Sequence, residues 1–286
     1  MPTDVMLAVL FAALLHAGWN AIAKAGGKTG GDALIDTTAL LLAASLVAAI
    51  CLPLLPLLPL PAPASWPYIL ASGVVNVGYF WLLSAAYRAG DMSLTYPLMR
   101  GGAPLLTALF SGLLFGETFS AGTIAGIVLT CSGVLGMAFA RRGAHWEWRA
   151  IGFALGNAVV IAVYTLIDGF GARRSHSPFA YTLAVFIVTC IGFAPFVAFR
   201  HGARLRAVLL GRWHLNMIGG AAIVVSYAIA LWAMTRAPIA TVAALRECSI
   251  LFGMILARVL LGEQPHAARL AGGALIVAGA VALRLG

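Results

Sequence analysis

The fold of this protein is decided by a stretch of sequence that occurs twice. Arg100–Gly133 reads RGGAPLLTALFSGLLFGETFSAGTIAGIVLTCSG, and 146 residues later Arg246–Gly279 reads RECSILFGMILARVLLGEQPHAARLAGGALIVAG. Ten of the 34 aligned positions are identical, and they include the pattern R-x16-E-x8-G-x6-G. Leu, Ala and Gly would coincide at a few positions by composition alone, but an arginine and a Gly-Glu pair would not, because charges are scarce in this chain. The two stretches therefore indicate an internal duplication.

The composition places this duplication in a membrane. Of 286 residues, only 18 are Lys or Arg and 9 are Asp or Glu, so 9% are charged, against about 25% in an ordinary soluble domain. The hydrophobic share is 62% and the mean hydropathy is +0.98. So few charges would leave too much apolar surface in water, which argues against a soluble enzyme, a disordered chain or a nucleic-acid module. The net charge of +9 is assigned to loops that orient the chain in the bilayer.

Continuous apolar runs of roughly 20 residues are typical of transmembrane helices, and this chain contains ten of them. They lie at about 5–23, 34–55, 67–87, 92–115, 120–140, 149–168, 178–199, 213–235, 239–261 and 267–284. Five spans in each half force the two halves to cross the membrane in opposite directions. We therefore predict an all-α integral membrane protein of ten transmembrane helices, built as two inverted five-helix repeats at residues 1–143 and 144–286. Many secondary transporters use this architecture.

These motifs resemble the EamA-type ten-helix branch of the drug/metabolite transporter (DMT) superfamily. The resemblance rests on Pro104-x12-Glu117 with its flanking glycines and on the first-helix segment His16-Ala17-Gly18-Trp19-Asn20 with Lys24. It covers nearly the whole chain, but Ile250 takes the place that matches Pro104 in the second half. The resemblance implies a secondary transporter of small metabolites with its substrate between the halves, and it does not fix the substrate.

Arg100 and Arg246 are the main candidates for substrate contact. Arg100 lies about eight residues into its helix, roughly 12 Å along the axis, and Arg246 holds the matching place in the ninth span. A charge at this depth is costly and usually faces a cavity or a partner. One interpretation is that either or both bind an anionic group, because guanidinium suits carboxylate and phosphate. The alternative is a structural ion pair, for which Glu247 is a candidate partner on a neighbouring helix.

Polar and aromatic side chains in the other spans are further candidates, because such groups tend to face the protein interior and an aromatic-walled cavity suits a small ligand. His16, Trp19 and Asn20 share one face of the first helix. The predicted substrate-binding set is Arg100, Arg246, Tyr96, His16, Trp19, Asn20, Asn76, Tyr79, Tyr164, Tyr227 and Trp232. For any one of them, an interhelical hydrogen bond or an interfacial anchor is the alternative role.

The repeated Gly-Glu motif is given a structural role. Glu117 and Glu263 each stand in a tight turn before the next helix, where a carboxylate caps backbone N–H groups. Gly126 and Gly272 are assigned to helix packing. A proton-relay role is the alternative for the two glutamates. The sixth span offers Asn157 and Asp168 as further polar groups, and acids are almost absent from the middle of the predicted spans.

The predicted function is secondary active transport of a small anionic or zwitterionic metabolite, amino-acid-like or phosphate/phosphonate-like, by alternating access around a central cavity. The first helix lacks the central carboxylate that the small multidrug-resistance relatives use, so export of lipophilic cations is not expected. The alternatives are an intramembrane enzyme acting on lipid and a non-transporting membrane subunit.

The remaining predictions concern partners and location. We expect no enzyme activity, no cofactor, no metal and no nucleic acid. The expected partners are a small-molecule substrate, the lipid bilayer and a coupling proton or ion, with the chain as a monomer or homodimer. The predicted location is the inner or plasma membrane, as a multi-pass protein. The side that the termini face, the direction of transport and the coupling ion stay open.

Overall fold

The fold was analysed in a computed structural model, which describes residues 1–27, 33–53, 59–90, 92–139, 147–261 and 266–286. Ten helical spans among these residues are long and apolar enough to cross a membrane, as the sequence predicts. The helices are α1 (Thr3–Gly27), α2 (Ala33–Cys51), α3 (Trp66–Ala89), α4 (Met92–Phe115), α5 (Ala121–Phe139), α6 (Trp148–Ser175), α7 (Pro178–Gly211), α8 (Trp213–Met234), α9 (Ile239–Leu245), α10 (Ser249–Leu261) and α11 (Ala267–Leu285).

The ninth span is not one continuous helix. It consists of α9, a 3-10 turn at Arg246–Cys248 and α10. A 3-10 segment inside a membrane helix changes the direction of the side chains at that point and often marks a functional site. The break therefore falls on the repeated arginine itself.

The two halves pack with approximate two-fold symmetry. The packing of α3 on α6 is matched by α8 on α1, and that of α4 on α6 is matched by α10 on α1. Contacts of α3 with α7 likewise correspond to those of α8 with α2. Each pairing of a first-half helix with a second-half helix thus has an equivalent in which the two halves exchange roles, as two inverted five-helix repeats require.

The symmetry axis passes through the crossing of α5 and α11. A Cβ atom at Gly133 would lie 2.6 Å from the carbonyl oxygen of Gly272, and one at Gly272 would lie 2.6 Å from that of Gly133. Likewise, a Cβ atom at Gly126 would lie 2.9 Å from the carbonyl oxygen of Gly279, and one at Gly279 would lie 2.8 Å from that of Gly126. Only glycine fits at these distances, so the glycines that the repeat duplicates are the ones that let the two halves touch backbone to backbone.

The backbone conformation at the end of α4 explains why the Gly-Glu motif contains a glycine. Gly116 has a φ of +66°, and its N–H donates to Gly112 while the N–H of Glu117 donates to Ser111. The bond from Gly116 to Gly112 is the 5→1 bond of an αL C-cap, which needs a left-handed residue after the helix. A glycine is therefore selected here for its backbone and not for its surroundings.

Helix α6 extends seven residues beyond its predicted end at residue 168, to Ser175. Gly169 and Gly171 suggest a helix end, but both are needed for packing instead. A Cβ at Gly169 would lie 2.6 Å from Ile239, and Gly171 packs with comparable closeness on the ring of Tyr181. As a result Asp168 lies two turns inside the helix, in the protein interior, and not at its end.

The outer surface carries large apolar side chains in the middle of the helices. Val74 on α3 is 75% exposed and Ile191 on α7 is 69% exposed. Such positions would be costly in water and are favourable against lipid tails.

Candidate functional site

The two repeated arginines meet at the centre of the molecule, each beside an interruption of its helix. Arg100 lies on α4 between Pro97 and Pro104. Proline has no N–H, so Pro104 leaves the carbonyl of Arg100 without its helical donor. Arg246 opens the 3-10 turn of the ninth span. Irregular backbone at this depth is typical of residues that line a cavity.

Arg100 forms an ion pair with Glu247. Its Nε donates to Oε2 at 3.1 Å, and its Nη2 lies 3.0 Å from Oε1. The second contact has the distance of an ion pair but not the angle of a hydrogen bond, so Nη2 has unused donor capacity. The side chains are 13% and 4% exposed. The structure thus realises the ion pair that the sequence offers as the alternative role for Arg100.

Arg246 has no such partner. It makes no ion pair and no hydrogen bond with any described residue, and its Nε is buried without an acceptor. Its guanidinium lies over the ring of Tyr227, with Cζ 5.6 Å from the ring centroid. A cation–π contact stabilises the charge but leaves the N–H groups unused. Arg246 is therefore a partly buried cation with donors available to a ligand.

A small cavity lies between the two arginines. The space that the centre of a water molecule can occupy there is about 20 Å³, which is room for about one water. The lining residues come from α4, α6 and the ninth span: Arg100, Ala103, Pro104, Thr107, Ile161, Tyr164, Thr165, Ala243, Arg246 and Glu247. As it stands, this cavity is too small to hold a metabolite.

Several predicted residues surround this cavity. Tyr164 lines it and packs edge-on against Tyr79, with ring centroids 5.8 Å apart. Tyr96 lies near Arg100, Arg246 and Glu247, and His16 is within electrostatic reach of both arginines. Trp19 donates from its indole Nε1 to Nδ1 of His16 at 3.3 Å. These residues form an aromatic wall beside the arginines.

Three other candidates are placed differently. Asn20 donates to the backbone carbonyl of His16 at 2.7 Å, so its amide group is used within its own helix. Asn76 donates to the backbone and hydroxyl oxygens of Ser72. Trp232 lies in the last turn of α8 beneath the exposed Arg236, at the end of a span, and is not among the cavity-lining residues. Trp232 is partly buried against the core, and its role in substrate binding stays a prediction.

Asp168, one of the polar residues that the sixth span offers, is a buried carboxylate beside the site. Asp168 is 0% exposed and accepts from three hydroxyl groups. Its Oδ1 accepts from Tyr181 at 2.9 Å, and its Oδ2 accepts from Ser72 at 2.9 Å and from Tyr227 at 2.5 Å. The sequence does not show these hydrogen-bond partners, because they lie on three other helices.

Glu117 does not cap the helix that follows it. Its Oε1 accepts from Nη1 of Arg173 at 3.1 Å, and its Oε2 has no hydrogen-bond partner. The hydroxyl of Ser120 instead accepts from the N–H of Thr123 at the start of α5. The reason is distance along the chain, since α5 begins at Ala121 and Glu117 is too early to serve as its cap. Glu263, its counterpart, lies outside the described residues.

Arg173 connects three elements through that contact. Besides Glu117, its guanidinium donates to the carbonyl oxygens of Met234 at 2.8 Å and Ala237 at 3.0 Å. It thereby satisfies acceptors at the end of α8 and ties them to the turn between α4 and α5. Arg173 is a structural residue that sequence spacing alone assigns to a loop.

Comparison with known proteins agrees with this architecture. The model of the EamA-like transporter family matches residues 4–139 and 148–285, once in each half. No curated protein matches the sequence. The fold matches 29 chains of solved structures; one, titled only "Crystal structure of protein", has a TM-score of 0.76 and 20% identity, over 100% of this chain and 98% of its own. At that identity the likeness shows the fold alone. On the family match, the chain belongs to the EamA-like transporter family and is a multi-pass membrane transporter of small molecules.

Proposed function

We propose that this protein is a secondary active transporter of a small anionic or zwitterionic metabolite, amino-acid-like or phosphate/phosphonate-like, which binds at Arg246. The observation that carries the proposal is the guanidinium of Arg246, whose buried Nε has no acceptor among the described residues. Leaving a buried charged donor unpaired costs free energy, and an anionic ligand removes that cost. Phosphate or carboxylate also matches the planar fork of arginine.

The local charge supports the same ligand class. Two arginines less one carboxylate (Arg100, Arg246, Glu247) leave a formal charge of +1 around the cavity. A monoanionic group would neutralise it. The aromatic rings of Tyr79, Tyr96 and Tyr164 supply an apolar wall for the rest of a small ligand.

The transport mechanism that fits this geometry is alternating access. The cavity lies at the interface of α4, α6 and the ninth span, which belong to different halves. Rocking of one inverted half against the other would open the cavity to one side at a time. The interruptions at Pro97, Pro104 and the 3-10 turn are positions where these helices could bend.

The test is a flux screen in sealed vesicles containing the purified protein. Labelled amino acids, sugar phosphates and phosphonates are offered singly, and uptake is compared with protein-free vesicles. We expect saturable uptake of at least one anionic or zwitterionic compound, and an Arg246→Ala affinity loss of about 10-fold to 150-fold, the value of one charged hydrogen-bonding group.

Arg236→Ala is the matched control. Arg236 also lies over an aromatic ring, 4.8 Å from the centroid of Trp232, but it is exposed and distant from the cavity lining. Its substitution should leave uptake unchanged. Selective uptake of cations, or equal loss with both variants, would refute the assignment of Arg246.

A further inference from the structure

The carboxylate of Asp168 is a meeting point of both halves. Its hydrogen-bond donors are Ser72 on α3, Tyr181 on α7 and Tyr227 on α8. Ser72 belongs to the first half and the other residues to the second. Any movement of one half against the other must rearrange this cluster.

The cluster contains no positive charge. Within the described part of the chain, no arginine, lysine or histidine is bonded to Asp168, and its hydrogen-bond donors are all neutral hydroxyls. An ionised carboxylate in a lipid-surrounded interior is costly without a cation. A bound proton removes that cost, and a carboxylic acid can still accept from two hydroxyls while donating to a third. The cluster is therefore compatible with Asp168 in either protonation state.

Tyr227 connects Asp168 to the candidate substrate site. Its hydroxyl donates to Asp168, and its ring lies beneath the guanidinium of Arg246. Two further tyrosines face this region. Tyr181 is within electrostatic reach of Tyr68. Tyr164 is within electrostatic reach of Arg100, Arg246 and Glu247. Tyr227 thus contacts both Arg246 and Asp168.

Charge balance then couples two ligands. With Asp168 ionised, the formal sum over Arg100, Arg246, Glu247 and Asp168 is zero, and with Asp168 protonated it is +1. An anion that binds Arg246 meets the negative charge of an ionised Asp168, and a proton on Asp168 removes that repulsion. The anion and the proton must therefore favour each other's binding, because linkage is reciprocal.

We propose that Asp168 is the proton-coupling site of the transporter, binding one proton together with one anionic group at Arg246 so that both cross the membrane in the same direction. In this step one proton from the aqueous phase adds to an Asp168 carboxylate oxygen and leaves on the opposite side; no other bond changes. The proposal rests on the proposed function for the anion, but its first test does not.

The first test uses infrared spectroscopy on the purified protein in lipid vesicles without substrate. Difference spectra between acidic and alkaline buffer should show a protonated-carboxyl C=O band that is absent from Asp168→Asn. Asp4→Asn, at the exposed start of α1, is the matched control and should retain the band. Tyr227→Phe keeps the ring but removes one hydroxyl donor, and it should shift the band without abolishing it.

The second test uses vesicles and a labelled amino-acid mixture. For Asp168→Asn we expect accumulation driven by a pH gradient to fall about tenfold or more, while exchange of labelled for unlabelled mixture changes by less than about twofold. An Asp168→Asn spectrum identical to that of the unchanged protein would overturn the proposal, as would undiminished gradient-driven accumulation. If the unchanged protein transports no amino acid, that result counts against the amino-acid form of the proposed function, and the infrared test still decides the role of Asp168.

Discussion

Arg100 and Glu247 are joined by two contacts, of 3.1 and 3.0 Å, across 147 positions of sequence. Glu247 has no counterpart in the first half, because the duplicated position is Gly101. The pseudo-symmetric centre consequently holds two arginines and one carboxylate. That asymmetry pairs Arg100 and leaves the Nε of Arg246 without an acceptor among the described residues.

Removal of one partner of this ion pair should lower the free energy of unfolding far more than removal of both. Glu247→Gln leaves the charge of Arg100 buried and unpaired, and we expect it to lower the free energy of unfolding by about 3–5 kcal/mol. The double substitution Arg100→Met with Glu247→Met should recover most of this loss. Denaturant unfolding in mild detergent measures both, and equal loss in the single and double variants would contradict a coupled pair.

Replacement of Arg246 by lysine separates charge from geometry. Lysine keeps the positive charge but lacks the planar fork that binds carboxylate or phosphate through two N–H groups. We expect Arg246→Lys to weaken substrate affinity by about tenfold, less than Arg246→Ala, in the vesicle assay. An unchanged affinity would show that Arg246 contributes only a point charge, and Arg236→Lys serves as the control on a surface site.

The glycine crossing of α5 and α11 should tolerate no added methyl group. A Cβ at Gly133 would lie 2.6 Å from a backbone oxygen of Gly272, which cannot move aside as a flexible side chain could. We expect Gly133→Ala and Gly272→Ala each to lower the free energy of unfolding by about 1–3 kcal/mol.

The control for this prediction lies one turn away on the same helix. Gly136 is exposed and has no atom within 4 Å of an added Cβ. Gly136→Ala should be neutral or stabilising by up to about 1 kcal/mol, because alanine favours helix over glycine. Equal destabilisation by all three alanines would indicate a general intolerance of the helix and not a close backbone contact.

Substitution of Arg173 should lower the free energy of unfolding more than substitution of its ion-pair partner Glu117. Arg173→Met leaves the carbonyls of Met234 and Ala237 and the carboxylate of Glu117 without their donor, and we expect a loss of about 1–3 kcal/mol. Glu117→Gln keeps an acceptor oxygen for Arg173 in a partly exposed pair, and its loss should be under about 1 kcal/mol. Thermal unfolding in detergent ranks the two variants, and a larger effect of Glu117→Gln would contradict the carbonyl contacts of Arg173.

The sequence alone determined the number of spans, the duplication and the inverted arrangement. These follow from local properties: apolar run length sets the spans, and an odd number of spans per half sets opposite orientations. The repeated Arg, Gly and Glu positions were also visible, because charges are rare enough in this chain for their coincidence to carry information.

Only the tertiary structure decided what those residues contact. The pairing of Arg100 with Glu247, the isolation of Arg246, the contact of Glu117 with Arg173 and the burial of Asp168 each depend on which helices become neighbours. Periodicity fixes the face of a helix but not the element that this face meets. The same limit applies to the end of α6. Gly169 and Gly171 suggest a helix end in sequence, but they are needed for the close packing of Ile239 and Tyr181, which lie on other helices.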